Sequence, residues 1–193
     1  MTMLSRQDLM SLEQYATERS VFRAQVIAHK ANRKVHLGAN ATLYFEDKLT
    51  IQYQIQEMLR IERIFEAAGI MSELEAYNPL IPSGSNWKAT FMLEFPDVDE
   101  RKQQLSRLIG IERQAWVQIN GFDKVFAIAN EDMPRETDDK TSAVHFVRFE
   151  LSAAMCQAAK QGAAIHMGID HAHYTHHITV STATSQSLVA DLA

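Results

Sequence analysis

The residues best suited to chemistry fall in three places. Residues 170–177 read Asp-His-Ala-His-Tyr-Thr-His-His, four histidines beside an aspartate. Imidazole nitrogens ligate zinc, iron and copper, and in an extended segment His171 and His173 project to the same side. Asp170, His171, His173 and His176 are therefore candidate ligands for Zn²⁺ or Fe²⁺, with His145 or a carboxylate as a further donor. The competing reading is a polar loop of exposed histidines, because spacing alone does not complete a ligand set.

The second place is a segment from Asp47 to Ala68, whose pattern predicts one long helix. At 100° per residue, Ile51, Ile55, Met58, Leu59 and Phe65 share an arc of about 120° with Glu62 and Glu66. Carboxylates in the middle of an apolar face are costly unless paired. They are expected either to pair with arginines, Arg63 being the nearest, or bracket a dimer seam, or to serve as metal ligands or an acid/base pair with raised pKa. The third place is a stretch without acidic residues, Arg19 to Phe45, carrying Arg19, Arg23, His29, Lys30, Arg33, Lys34 and His36. It suits a phosphate, a nucleic acid or an acidic partner, or is simply a solvated helix face.

Other elements must position these groups. Ser5 and Asp8 have the form of a capping box, and Ser20 is a second helix start, so two short helices are expected before Asn32. Gly38 and Asn40 separate two short strands. Asp47 is a good N-cap and Gly69 a good stop for the long helix. Asn78-Pro79-Leu80-Ile81-Pro82 must be irregular. Trp87, Ala89, Phe91, Leu93 and Phe95 alternate with polar residues, which predicts a half-buried strand, and Asp97 starts a helix closing at Gly110. Asn120-Gly121 marks a hairpin, and an acidic loop spans 131–139. A strand over 143–150, a helix from Ser152 to Gln161, strands over 163–169 and 177–181, and a short helix near Leu188 complete the chain. The fold class predicted is α+β: a mainly antiparallel sheet with helices packed on one side, around one long buried helix over about 47–68. No repeat or linker divides residues 1–193, so a single domain is expected.

Composition narrows the function classes. The chain has 193 residues, 46% hydrophobic and 22% charged, which is ordinary for a globular protein and argues against disorder. No run approaches the length of a membrane span, and the first residues lack the layout of a secretory signal. A lone cysteine, Cys156, fits a reducing compartment, so a cytoplasmic protein is expected. A net charge of −5 disfavours generic nucleic-acid binding. No phosphate loop, His-Glu-x-x-His helix, cysteine pair or nucleophile elbow is present.

Several stretches together resemble a known family. They are Arg23 to Lys30; Phe45-Glu46-Asp47 leading into Tyr53 to Phe65; Glu75 to Pro82 with Asn86; Val147-Arg148-Phe149-Glu150-Leu151; and Asp170-His171 with Tyr174. In that order they resemble the bacterial domain-of-unknown-function 3501 family over nearly the whole chain. The resemblance implies no established activity. It implies a place beside rubrerythrin-type proteins and iron–sulfur oxidoreductases, in oxidative-stress or electron-transfer systems. Residue by residue it falls on His29, Gln54, Gln56, Glu57, Arg60, Glu62, Arg63, Tyr77, Asn78, Asp170, His171 and Tyr174. Where this chain has Ala172-His173, the resemblance implies a proline and a variable polar residue, which shifts weight from the histidines to the helix. The candidate polar cluster is then Gln54, Glu57, Arg60, Glu62, Arg63 and Glu66, with Tyr77 and Asn78.

Three functions compete. The first is a non-catalytic accessory or binding protein, a homo-oligomer, docking an iron–sulfur oxidoreductase or rubrerythrin-like partner through the basic stretch. The second is a metal-dependent enzyme in which Glu57, Glu62 and Glu66, with His171 and His173, hold Zn²⁺ or Fe²⁺. A nucleic-acid binder using residues 19–36 is a distant third.

Overall fold

The computed structural model describes residues 3–131, 135, 137 and 139–193. Of the acidic loop expected over 131–139, residues 132–134, 136 and 138 lie outside the described residues. The architecture is α+β, and every strand pairing among the described residues is antiparallel. Instead of one sheet, the described residues form two. The first runs β1 (Lys34–His36), β2 (Ala41–Phe45), β3 (Asn86–Leu93), β7 (Val144–Glu150), β6 (Ile128–Ala129); the second runs β5 (Val125–Phe126), β4 (Ala115–Ile119), β8 (Ile165–His171), β9 (Tyr174–Thr179).

The two sheets are tied at both edges. β5 and β6 form one extended run across Ala127, whose N–H donates to Ala115 O at 2.8 Å. At the other edge the Tyr174 hydroxyl donates to Leu37 O at 2.6 Å and accepts from Asn40 N–H at 3.2 Å. Gly38 turns beneath that hydroxyl at φ 83°, where a Cβ would meet the Tyr174 Oη at 2.6 Å, so no side chain fits there. Between the sheets lies one core, to which β3 sends Trp87, Ala89, Phe91 and Leu93 and β8 sends Ile165, Met167 and Ile169. This is the period-2 alternation expected for β3.

Three further helices, α4 (Val98–Arg107), α5 (Ala153–Lys160) and α6 (Thr182–Val189), contribute to that core. α6 is fixed there by Trp87, whose indole N–H donates to Leu188 O at 2.8 Å. Cys156 is a buried member of the same core, and burial pushes its thiol above the usual range.

The N-terminal half adds a helical layer with apolar clusters of its own. Ser5 and Asp8 do form a capping box, but it closes only a short 3-10 turn. The two helices expected before Asn32 are a single one, α1 (Leu12–Ala31), capped by Ser11. Ser20 lies inside it, because nothing between Leu12 and Ala31 breaks a helix.

The long helix is shorter than expected. α2 (Lys48–Ile61) starts at the Asp47 cap but ends before Glu62, and α3 (Ala67–Tyr77) follows as a separate helix. Arg63 adopts φ 54°, and Ile64 N–H donates back to Leu59 O at 2.9 Å. This is a Schellman closure with a non-glycine residue in the left-handed position. Ile64 packs into the cluster that holds Leu59, the apolar contact that commonly accompanies such a closure. No helix among the described residues is long and apolar enough to cross a membrane.

Candidate functional site

Within the helical layer, Glu57 is the hub. Its carboxylate accepts two bonds from Arg19, at 2.7 and 2.8 Å, one from the Tyr15 hydroxyl at 2.6 Å, and two longer ones from Arg60 at 3.2 and 3.3 Å. The Arg19 hydrogen bonds hold its carboxyl down at about 2, helped by Tyr15 and Arg60 and opposed by burial. Burial, and then Glu57 itself, push the Tyr15 phenol well above its usual range. Arg19 and Tyr15 belong to α1, so this knot joins α1 to α2.

The other members of the predicted polar cluster do not gather around it. Because α2 ends early, Glu62, Arg63 and Glu66 lie beyond its last turn and are exposed rather than set in an apolar face. Gln54 and Tyr77 are half-buried, Tyr77 against the cluster of α2 and α3. Asn78 holds the N-terminal segment instead, since its amide accepts from Leu4 N–H at 2.8 Å and donates to Leu4 O at 2.9 Å. Gln56 does the same for Met10, at 2.6 and 3.4 Å, and Gln52 donates to Asp8 O at 2.6 Å. These amides stitch the N-terminal segment onto the helices, and Lys48 adds an ion pair to Asp8 at 2.9 Å.

The basic stretch is divided in use. Arg33 is 2% exposed and donates to Phe45 O, Glu46 O and Ser187 O as well as to Asp191 at 2.5 Å. It ties the end of α1 to β2 and α6, so it is no surface cation. Burial pushes the Asp191 carboxyl up to about 6, even against the pull of Arg33. His29 contacts Asp47 at 2.5 Å. Arg23 and Lys34 are exposed and Lys30 is half-buried, with Lys34 over the Tyr44 ring at 5.4 Å.

The histidines lie on a hairpin, not on one extended segment. β8 ends at His171, Ala172-His173 is the turn, and Tyr174 pairs back with His171. The alternation that would align His171 and His173 stops at that turn, where the His173 N–H donates to His171 Nδ1 at 3.2 Å. Asp170 is paired with Lys124 at 2.6 Å, which lowers its carboxyl below the usual range. His176 lies on β9 near the Gly38 turn. His145 is buried between the sheets near Thr141, Ser142 and Asn130. Among the described residues no group of three His, Cys, Asp or Glu is placed to hold a metal ion.

A cleft with several ionisable side chains opens instead on the outer face of the first sheet. It has a volume of about 320 Å³ and is bounded by Glu46, Lys88, Glu131, Phe146, Arg148 and the turn Pro79–Leu80. β3 sets Lys88 directly opposite Arg148 of β7, a like-charge cross-strand pair that is unfavourable by itself. Arg148 is compensated by two bonds to Glu131, at 2.9 and 2.8 Å, and one to Glu150 at 2.5 Å. Lys88 is not: it forms no ion pair among the described residues, and its amine donates to Pro79 O at 2.6 Å. Burial pushes that amine below its usual value, and Arg148 adds to the effect against the pull of Glu131 and Glu150.

Glu46 stands on the other side of Lys88, its N–H donating to Lys88 O at 2.9 Å. Its side chain is buried, the residue being 3% exposed, and the carboxylate accepts hydroxyl bonds from Thr50 at 2.6 Å and Thr90 at 2.8 Å.

Compared with known proteins, the chain matches the family described as protein of unknown function (DUF3501) over residues 3–192. It belongs to the DUF3501 family. No curated protein matches it. A solved structure of a novel protein of unknown function from Burkholderia pseudomallei K96243 is similar to it, with 46% identity, all of both chains covered and a TM-score of 0.95.

Of the stretches that carry the resemblance to DUF3501 proteins, three converge on this cleft: Glu46, the turn at Pro79–Leu80, and Val147–Arg148. Lys88 and Glu131 carry no local signal, since only strand pairing brings them there. The alternation along β3, which puts Lys88 on the polar face, is the one clue to it in the sequence.

Proposed function

We propose that the protein is a non-catalytic binding component of an oxidative-stress or electron-transfer system, docking an acidic partner through α1. The observation that carries this reading is the outward face of α1. Val21, Ala24, Ile27, Ala28 and Ala31 lie along it, with Val21 at 64% and Ile27 at 52% exposure. Arg23 and Lys30 border this uncharged strip along one side; Gln25 and Asn32 border the other, with Glu18 beside Val21. An apolar strip with positive charge along one edge favours a partner whose apolar patch carries negative charge on the matching side, through both burial and steering. The internal pairing of Glu57, Asp170 and Arg33 is in keeping with a protein whose ionic groups shape a scaffold. The resemblance implies the setting: an iron–sulfur oxidoreductase or a rubrerythrin-like protein as partner.

The test is direct binding of each such protein to the full chain, measured across salt concentrations. Association that weakens as salt rises, and that Arg23→Glu and Ile27→Glu each reduce by about tenfold or more, is expected. No association at any salt, or association insensitive to both substitutions, overturns the reading.

A further inference from the structure

On the outer face of the first sheet, Lys88 and Glu46 are cross-strand neighbours of opposite charge that do not pair. Such neighbours ordinarily attract. Here each is held by a fixed neutral partner on a different side: the amine by Pro79 O, the carboxylate by Thr50 and Thr90. Neither group is saturated. An ammonium has three donors and one is used; a carboxylate accepts at about four positions, of which two are used. The result is a cleft with a free donor set and a free acceptor set kept apart, both partly withdrawn from water.

The walls between and beside them are apolar. Leu80, Pro79 and the Phe146 ring line the same cleft, and its volume of about 320 Å³ is within the range of small-ligand sites. The local charge also discriminates. The charged side chains that line it are two of each sign, Lys88 and Arg148 against Glu46 and Glu131. Among the described residues this balance offers nothing to a multiply charged anion, and Glu46 and Glu131 would repel one. It suits a ligand that is neutral overall but carries both charges.

We propose that this cleft binds a small zwitterion, an amino acid with an apolar side chain. Its carboxylate accepts from Lys88, its ammonium donates to Glu46, and its side chain lies against Leu80 and Phe146. The lowered affinity of the Lys88 amine for its proton fits a group whose counter-ion arrives with the ligand.

Calorimetric titration of the full chain with L-leucine, isovalerate and isopentylamine separates the parts of this recognition. Leucine is expected to bind saturably at one site, with isovalerate (no ammonium) and isopentylamine (no carboxylate) each at least about tenfold weaker. Lys88→Met is expected to weaken leucine by about tenfold or more while the circular dichroism spectrum is unchanged. Amide shifts mapped by nuclear magnetic resonance should fall on residues 79–80, 88 and 146–148. The proposal is overturned by the absence of heat and of shifts with leucine and phenylalanine up to about 10 mM. It is also overturned if isovalerate binds as tightly as leucine. The analogue comparison uses unaltered protein, so it stands whether or not the variant folds.

Discussion

The helical layer and the outer face of the first sheet treat the same residue types in opposite ways. On α2, Glu57 is surrounded by Arg19, Arg60 and Tyr15, all of which donate to it. On β3, Lys88 sits next to Glu46 yet donates to a backbone carbonyl. A mutually satisfied ion pair joins two elements and is then closed to other partners. Opposite charges held apart by neutral groups contribute less to holding the fold but remain open to a third party. The contrast separates scaffold from candidate site on physical grounds, with no appeal to residue type.

The largest expected effect is at Arg33. Arg33→Met leaves Asp191 buried without its cation, and loss of one member of a buried pair costs about 3–5 kcal/mol. Denaturant unfolding measures it, and a loss below about 1 kcal/mol would mean that α6 is not anchored this way.

Next is Glu57→Gln, which removes charge-assisted bonds from two arginines and is expected to destabilise by about 2–3 kcal/mol. Its pH dependence has a definite sign. Folding lowers the Glu57 carboxyl from the usual 4.5 to about 2, so this contribution is full above about 4.5 and is lost as pH falls through 2. Asp191 runs the other way: its carboxyl is raised from 3.8 to about 6, so its contribution to stability falls as pH rises from about 4 to 6. Melting temperatures of wild type and Asp191→Asn over that interval should diverge in slope, the variant being flatter. Smallest are His171→Ala and His173→Ala at the hairpin tip, expected within about 0.5 kcal/mol of wild type and unaffected by chelators.

Legibility in the sequence follows how local each determinant is. The caps at Asp47, Asp97 and Ser152, the strand from Trp87 and the hairpin at Asn120-Gly121 each rest on a few adjacent residues, and each is readable. The end of α2 is not, because it is made by a left-handed arginine; Arg63 gives no sign of that, whereas Gly69 invites the helix onward. That error of about two turns puts Glu62 and Glu66 in an apolar face they never enter. The alignment of His171 with His173 fails similarly, since Ala172-His173 makes a two-residue turn without glycine or asparagine. Pairing of two sheets, and the cleft assembled from β2, β3 and β7, depend on contacts distant in sequence and lie beyond any periodicity.

The distinction between the two regions is tested most directly by a double-mutant cycle on Lys88→Met and Glu46→Gln, read by denaturant unfolding without ligand. If the two charges are held apart as described, their coupling is below about 0.5 kcal/mol although they are cross-strand neighbours. A coupling above about 1.5 kcal/mol would show them to be a structural ion pair like those of α2, and would contradict the separation of scaffold from site.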